Sequence, residues 1–175
     1  MVRQKKNIPL KPITAILVEG ETEEEYFHQL AQIKNWSSAI PQKIDILSGN
    51  GDCVDKADRM LQTGKKFKGV QIPKKIIVFD ANHQSENQLN TLVKKAIKHG
   101  YIVAFSNASF EVWLLAHFQP MTSGLIDERE LTRKLTKALG KPYKKSDSNQ
   151  IATILKGLES AHVNTERINK LTVKA

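Results

Sequence analysis

Ile76-Ile77-Val78-Phe79-Asp80-Ala81-Asn82-His83 is the stretch on which the reading of this chain turns. Its first four residues are β-branched or aromatic, as expected of a strand covered on both faces of a parallel sheet, and Asp80 falls where that strand runs out. In open parallel sheets the carboxyl ends of the strands are where ligands bind. The earlier stretch Ile13-Thr14-Ala15-Ile16-Leu17-Val18-Glu19-Gly20 has the same grammar. Two strands would then each deliver one carboxylate, Glu19 and Asp80, to one rim, a donor pair suited to a hard divalent cation such as magnesium or manganese.

A chain of 175 residues is long enough for one ordinary domain with a substantial core. No apolar run approaches the ~18 residues of a membrane span, so no membrane association is expected. The basic opening residues lack the apolar centre of a secretory signal, and the single Cys53 has no second cysteine to pair with. Both features favour a reducing cytoplasm. Lys and Arg number 27 against 18 acids, a net charge of +9 that favours a polyanionic partner, nucleic acid above an acidic small molecule.

In chain order, residues 1–12 read as a basic flexible arm. After Glu19-Gly20, Thr22 and Glu25 have capping-box spacing at the head of a helix, and Tyr26, Phe27, Leu30 and Ile33 form its apolar stripe. Lys43 to Ser48 alternates like a strand. Ser48-Gly49-Asn50-Gly51 breaks it, as a turn or, alternatively, as a phosphate cradle at the head of the helix that begins near Asp52. That helix stops at Thr63-Gly64. A third helix carries Leu89, Leu92, Val93, Ala96 and Ile97 and closes at His99-Gly100. Tyr101 to Phe105 is a fourth strand, turned by Ser106 to Ser109 into an apolar helix from Phe110 to Phe118. Strand and helix thus alternate over residues 13–118, which predicts an α/β core with a mainly parallel four-stranded sheet. Residues 119–175 show helical periodicity alone and read as a helical extension packed on that core.

Metal-assisted phosphoryl chemistry needs oxygen ligands converging from separate segments. The candidates are Glu19, Glu23, Asp80, Asn82 and Glu111. Glu23 lies one turn into the first helix, where acids also suit the helix dipole. Glu111 interrupts an apolar run, and a carboxylate there is costly to bury without a cation or a donor beside it. His83 adjoins the proposed site and His117 shares a helix with Glu111; both are accessory candidates alongside Asn107. The loop holding Lys141, Tyr143, Lys144 and Lys145 has an aromatic among lysines, a composition that grips a phosphate backbone and stacks a base, or that forms a solvated connection.

Taken together, Val18-Glu19-Gly20-Glu21-Thr22-Glu23 with Tyr26-Phe27, Val78-Phe79-Asp80, Ser106-Asn107 with Phe110-Glu111-Val112-Trp113-Leu114-Leu115-Ala116-His117-Phe118, and Tyr143-Lys144-Lys145 resemble the RloB-like family. The likeness runs nearly end to end. It implies a three-layer TOPRIM fold, Rossmann-like in outline and related to the nuclease domain of OLD (overcoming lysogenization defect) proteins. It further implies nucleic-acid cleavage in bacterial anti-phage or restriction-linked loci, alongside an ATPase subunit. By the same resemblance Glu19 is the glutamate that binds metal or moves a proton, Asp80 the first acid of a DxD metal motif, and Glu23 the further acid of OLD-type sites. Asn82 stands where the second DxD acid is expected and offers a neutral oxygen instead. Asn107-Ala108-Ser109 replaces the usual Asn-Pro-Cys.

Overall fold

The computed structural model describes residues 11–44, 52–81, 85–106, 109–121 and 126–172, with side chains described as far as 166. The strands are β1 (Thr14–Val18), β2 (Ala39–Lys43), β3 (Lys74–Asp80) and β4 (Tyr101–Ser106). The helices are α1 (Glu21–Ile33), α2 (Cys53–Thr63), α3 (Glu86–Lys98), α4 (Glu111–Ala116), α5 (Glu128–Leu139), α6 (Ser148–Leu155) and α7 (Leu158–Thr172). One sheet of order β2-β1-β3-β4 holds the strands, and every described pairing is parallel. The expected α/β class with a parallel four-stranded sheet and C-terminal helices is therefore what the chain forms.

β1 is buried along its whole length because it is central, paired with β2 on one side and β3 on the other. Its alternate residues divide between two apolar clusters, as the two-residue period of a strand requires. Ile16 and Val18, with Val78 of β3, face Tyr26 of α1, Phe110, Leu114 and Leu115 around α4, Leu131 and Leu135 of α5, and Ile151, Ile154 and Leu155 of α6. Ala15 and Leu17, with Ile77 and Phe79, face Val54 and Ala57 of α2 and Leu92 and Ala96 of α3. The C-terminal helices share the first cluster with the sheet itself.

From β1 the chain passes through α1 to β2 on one side, then returns through α2 to β3 on the other. The order reverses between β1 and β3, with α1 on one face and α2 on the other. This is the topological switch point, where the carboxyl ends of two adjacent strands part and leave a crevice. Glu19 and Asp80 stand at those two ends.

Local chemistry sets most helix starts. Asp52 accepts from the backbone N–H groups of Val54 at 3.0 Å and Asp55 at 3.1 Å, and Ser85 with Gln88 closes a capping box. Gly140 ends α5 in the left-handed conformation at φ 67°, which a residue without Cβ adopts freely.

Three local expectations need correction. The strand expected at Lys43 to Ser48 lies earlier, at Ala39–Lys43. Pro41 sits inside it, which a sequence reading counts against a strand, but β2 pairs on one side alone and an edge strand tolerates the missing N–H. Residues 45–51, including the Gly49-Asn50-Gly51 turn, lie outside the described residues, as do residues 1–10 of the expected arm. The capping box of Thr22 and Glu25 does not form, because α1 already starts at Glu21 behind Gly20; Glu25 instead accepts from Gln29 at 2.6 Å. Ile33 and Ile97, expected on apolar stripes, are 56% and 61% exposed in the last turns of α1 and α3.

Candidate functional site

Four carboxylates from four segments gather at the carboxyl ends of β1 and β3. Glu19 follows β1, and its Oε2 accepts the backbone N–H of Asp80 at 3.2 Å, beyond the last ladder pair Val18 with Val78. The two strand ends are thus joined through a side chain. Burial raises the pKa of Glu19, against the pull of the Asp80 N–H and of the Lys56 ammonium from α2.

Gly20 makes the next step possible. A Cβ on it would run into the carboxylate of Glu23, closer than real Cβ contacts occur, so glycine here lets the Glu23 side chain fold back over the chain. Glu23 is consequently 5% exposed. Its pKa is raised by that burial and by Glu111 and Glu19, while its own backbone N–H and Lys145 oppose the rise.

Asp80 feels the whole set. Its carboxyl is pushed up to about 7, first by burial and then by Glu23, Glu111 and Glu19, with Lys145 acting the other way. Strand alternation places it on the Val78 face, toward α1 and α4, which is why Glu23 and Glu111 are the acids it meets.

Glu111, the first residue of α4, is 4% exposed and owes its tolerance there to the loop between α5 and α6. Tyr143 donates its hydroxyl to Glu111 Oε1 at 3.1 Å, and the Lys145 ammonium stands 3.6 Å from the same oxygen while pairing with Glu128 at 3.1 Å. Burial works against the charge of Lys145, but Glu128 and Glu111 outweigh it and hold its pKa above the ordinary lysine value. Burial and the adjacent Glu111 likewise raise the Tyr143 phenol, which stays a donor.

Thr22, expected as a helix cap, and Gln150, not singled out in the sequence, pin this loop. Thr22 Oγ1 accepts the Ser146 N–H at 3.1 Å and lies 3.2 Å from the Ser146 hydroxyl. Gln150, 2% exposed, accepts the Lys144 N–H at 3.0 Å and donates to the Pro142 carbonyl at 2.9 Å. Apart from the loop, Lys56 of α2, also passed over in the sequence, is 8% exposed beside Glu19. The available signal was polar residues at otherwise apolar positions of their helices, Lys56 next to Ala57 and Gln150 next to Ile151.

The structure therefore brings together Glu19, Glu23, Asp80, Glu111, Tyr143 and Lys145. Lys141 and Lys144 are exposed on the same loop without an acid partner among the described residues. Tyr143 is half-buried, with its hydroxyl engaged and its ring against the core, which leaves little of its face for a base. His117 is turned away into the core. Its Nδ1 meets the Trp113 carbonyl at 2.9 Å and so carries the proton, leaving Nε2 to accept the Tyr26 hydroxyl at 3.0 Å. Burial lowers its pKa, so it stays neutral. Asn82, His83 and Asn107 lie outside the described residues. Cys53 is buried and its thiol is pushed up to about 12 by burial and by Glu19 and Asp52, which makes it inert.

Among the described residues no three Asp, Glu, His or Cys side chains stand close enough to hold an ion between them. What fits a hard cation is the chemistry of the donor set, carboxylates whose proton affinity is raised by burial and then by one another, with Lys145 offsetting only part of the rise. No described helix is long and apolar enough to cross a membrane.

Residues 14–174 match the family model described as RloB-like protein, and the chain belongs to that family. No curated protein and no solved structure matches it.

Proposed function

With the chain in the RloB-like family, we propose that it is a magnesium- or manganese-dependent nuclease that hydrolyses phosphodiester bonds of RNA or DNA, in bacterial anti-phage defence or a restriction-linked system. The observation that carries this reading is the convergence of Glu19, Glu23, Asp80 and Glu111 at the switch point, where ligands of open parallel sheets are bound. Glu19, Asp80 and Glu23 would hold the ion, joined by the Asn82 oxygen. Such an ion, when bound, neutralises phosphate charge and makes its water a stronger nucleophile.

The protein's own groups have separable parts. Asp80, with a pKa near neutrality, is able to hold or release a proton at the rim until a cation displaces it. Tyr143 orients Glu111 from the neighbouring loop. Lys145 balances the acids from the solvent side, where a phosphate would arrive, while Lys141 and Lys144 extend that positive edge. An ATPase subunit from the same locus is the partner this reading calls for.

A second reading, a non-catalytic subunit that binds nucleic acid or nucleotide within a defence complex, is favoured by one observation: no three ligand groups close on each other among the described residues. Cleavage assays on labelled RNA and DNA with magnesium or manganese separate the two. The nuclease reading expects cleavage that Glu19→Gln and Asp80→Asn abolish while both variants keep the parental circular dichroism. Cleavage undiminished in both variants removes the proposed site, and salt-sensitive binding without turnover in any divalent metal, even beside the ATPase, selects the second reading.

A further inference from the structure

Acid and lysine are unevenly spread along this chain. From Arg59 to Phe79, and again from Asn87 to Phe110, there is no Asp or Glu. The fold brings both runs to one place. α2 and α3 each return from the carboxyl ends of the strands to their amino ends, so the last turn of α2 and the connector 64–73 meet the last turn of α3 and the starts of β3 and β4. Lys75 marks the junction: its Nζ donates to the His99 carbonyl at 2.6 Å and lies 4.6 Å from the centre of the Tyr101 ring.

Lys65, Lys66, Lys68, Lys74, Lys94 and Lys98 are exposed at this pole. None of them pairs with an acid among the described residues. Asp58, the acid of α2 nearest this end, is taken up by the His99 ring and by the Tyr101 hydroxyl at 2.8 Å. The length of β3 puts the pole roughly 20 Å from the acid rim. A helix dipole accounts for lysines in the last turn of α3. It does not account for Lys65, Lys66, Lys68 and Lys74, which lie outside the helices.

We propose that this pole is a docking surface for nucleic-acid backbone, separate from the acid rim and working without a metal. The rim's carboxylates oppose the approach of phosphate, so positive charge at the opposite end adds affinity to what Lys141, Lys144 and Lys145 supply beside them. Phe67, the aromatic of the connector, is 3% exposed, which leaves lysines without a ring to stack on a base or insert into lipid. Ile97, exposed between Lys94 and Lys98, and Ile102, 51% exposed at the start of β4, are two single apolar groups, short of the continuous apolar face by which a helix lies in a membrane. Contact is then with phosphates and indifferent to sequence.

Binding of fluorescein-labelled single-stranded and duplex oligonucleotides to the full chain, measured by anisotropy in chelator over a salt series, tests this independently of cleavage. The triple change Lys65→Glu, Lys66→Glu and Lys68→Glu should weaken binding by about tenfold or more and flatten the salt slope by about 2–3, one neutralised phosphate per lysine. The pair Lys94→Gln and Lys98→Gln, far from the connector in sequence, should act in the same direction, while Lys141→Gln with Lys144→Gln has the smaller effect. Circular dichroism checks that each variant is folded. Parental affinity and slope in both pole variants would overturn the proposal. So would lysine-dependent binding to phosphatidylserine vesicles with no affinity for either oligonucleotide.

Discussion

Replacing Asp80 by asparagine probes the electrostatics of the rim before any chemistry is asked of it. The folded protein holds the Asp80 carboxyl at about 7, by burial and then by Glu23, Glu111 and Glu19. The unfolded chain returns it to about 3.9. Between those values the folded state keeps a proton that the unfolded state has released, so this group's contribution to stability falls as pH rises through the window and levels off above about 7. Three units at about 1.4 kcal/mol each set a ceiling of about 4 kcal/mol. Asp80 is partly open to solvent and its neighbours can share the proton, which reduces the expected effect to about 1–3 kcal/mol. Asparagine keeps the shape and cannot ionise. Urea unfolding in chelator, followed by circular dichroism at both ends of the window, should find Asp80→Asn more stable than the parent by that amount near pH 8 and indistinguishable from it near pH 4. A variant less stable than the parent near pH 8, or an offset that ignores pH, refutes the crowding of acids around Asp80.

Gly20→Ala puts a Cβ where the Glu23 carboxylate lies and should move that flexible side chain at a cost of about 1 kcal/mol or less in the same unfolding assay, while a crystal structure of the variant should show the Glu23 carboxylate displaced; a Glu23 carboxylate left in place contradicts its position over Gly20. Tyr143→Phe leaves the buried Glu111 without its hydroxyl donor and should cost about 1–3 kcal/mol, with Glu111→Gln in the same background recovering part of it. His117 has a lowered pKa, so the folded state resists its protonation and stability drops as pH falls below about 6.5. His117→Gln should start less stable than the parent and lose less across that range, and parallel pH profiles would contradict the core placement of the ring.

The sheet and the rim were legible in the sequence for the same reason. Short apolar runs that end in a carboxylate, Val18-Glu19 and Phe79-Asp80, mark both a central parallel strand and its carboxyl end, and the register Val18 with Val78 then brings the two acids to one rim. Glu111 was legible as an acid inside an apolar run. Its partners were not, because Tyr143 and Lys145 reach it through a loop fixed by Thr22 and Ser146, which are 124 residues apart and carry no periodic signal. The second strand was read too late because Lys43 to Ser48 alternates apolar and polar residues, whereas Ala39–Lys43 carries no such alternation. Buried polar groups such as Gln150 satisfy backbone in a loop eight residues or fewer away, a bond that composition cannot announce. Lys56 faces Glu19 only because α2 crosses back over β1.

A nuclease of this kind requires the acids at the ends of β1 and β3 to take up a divalent cation. A crystal soaked in manganese, read by anomalous scattering, tests that most directly. Manganese should give a peak beside those strand ends with oxygens of Glu19 and Asp80 among its ligands, lost in Asp80→Asn. Manganese bound elsewhere on the chain, with nothing at the rim in excess metal, contradicts it.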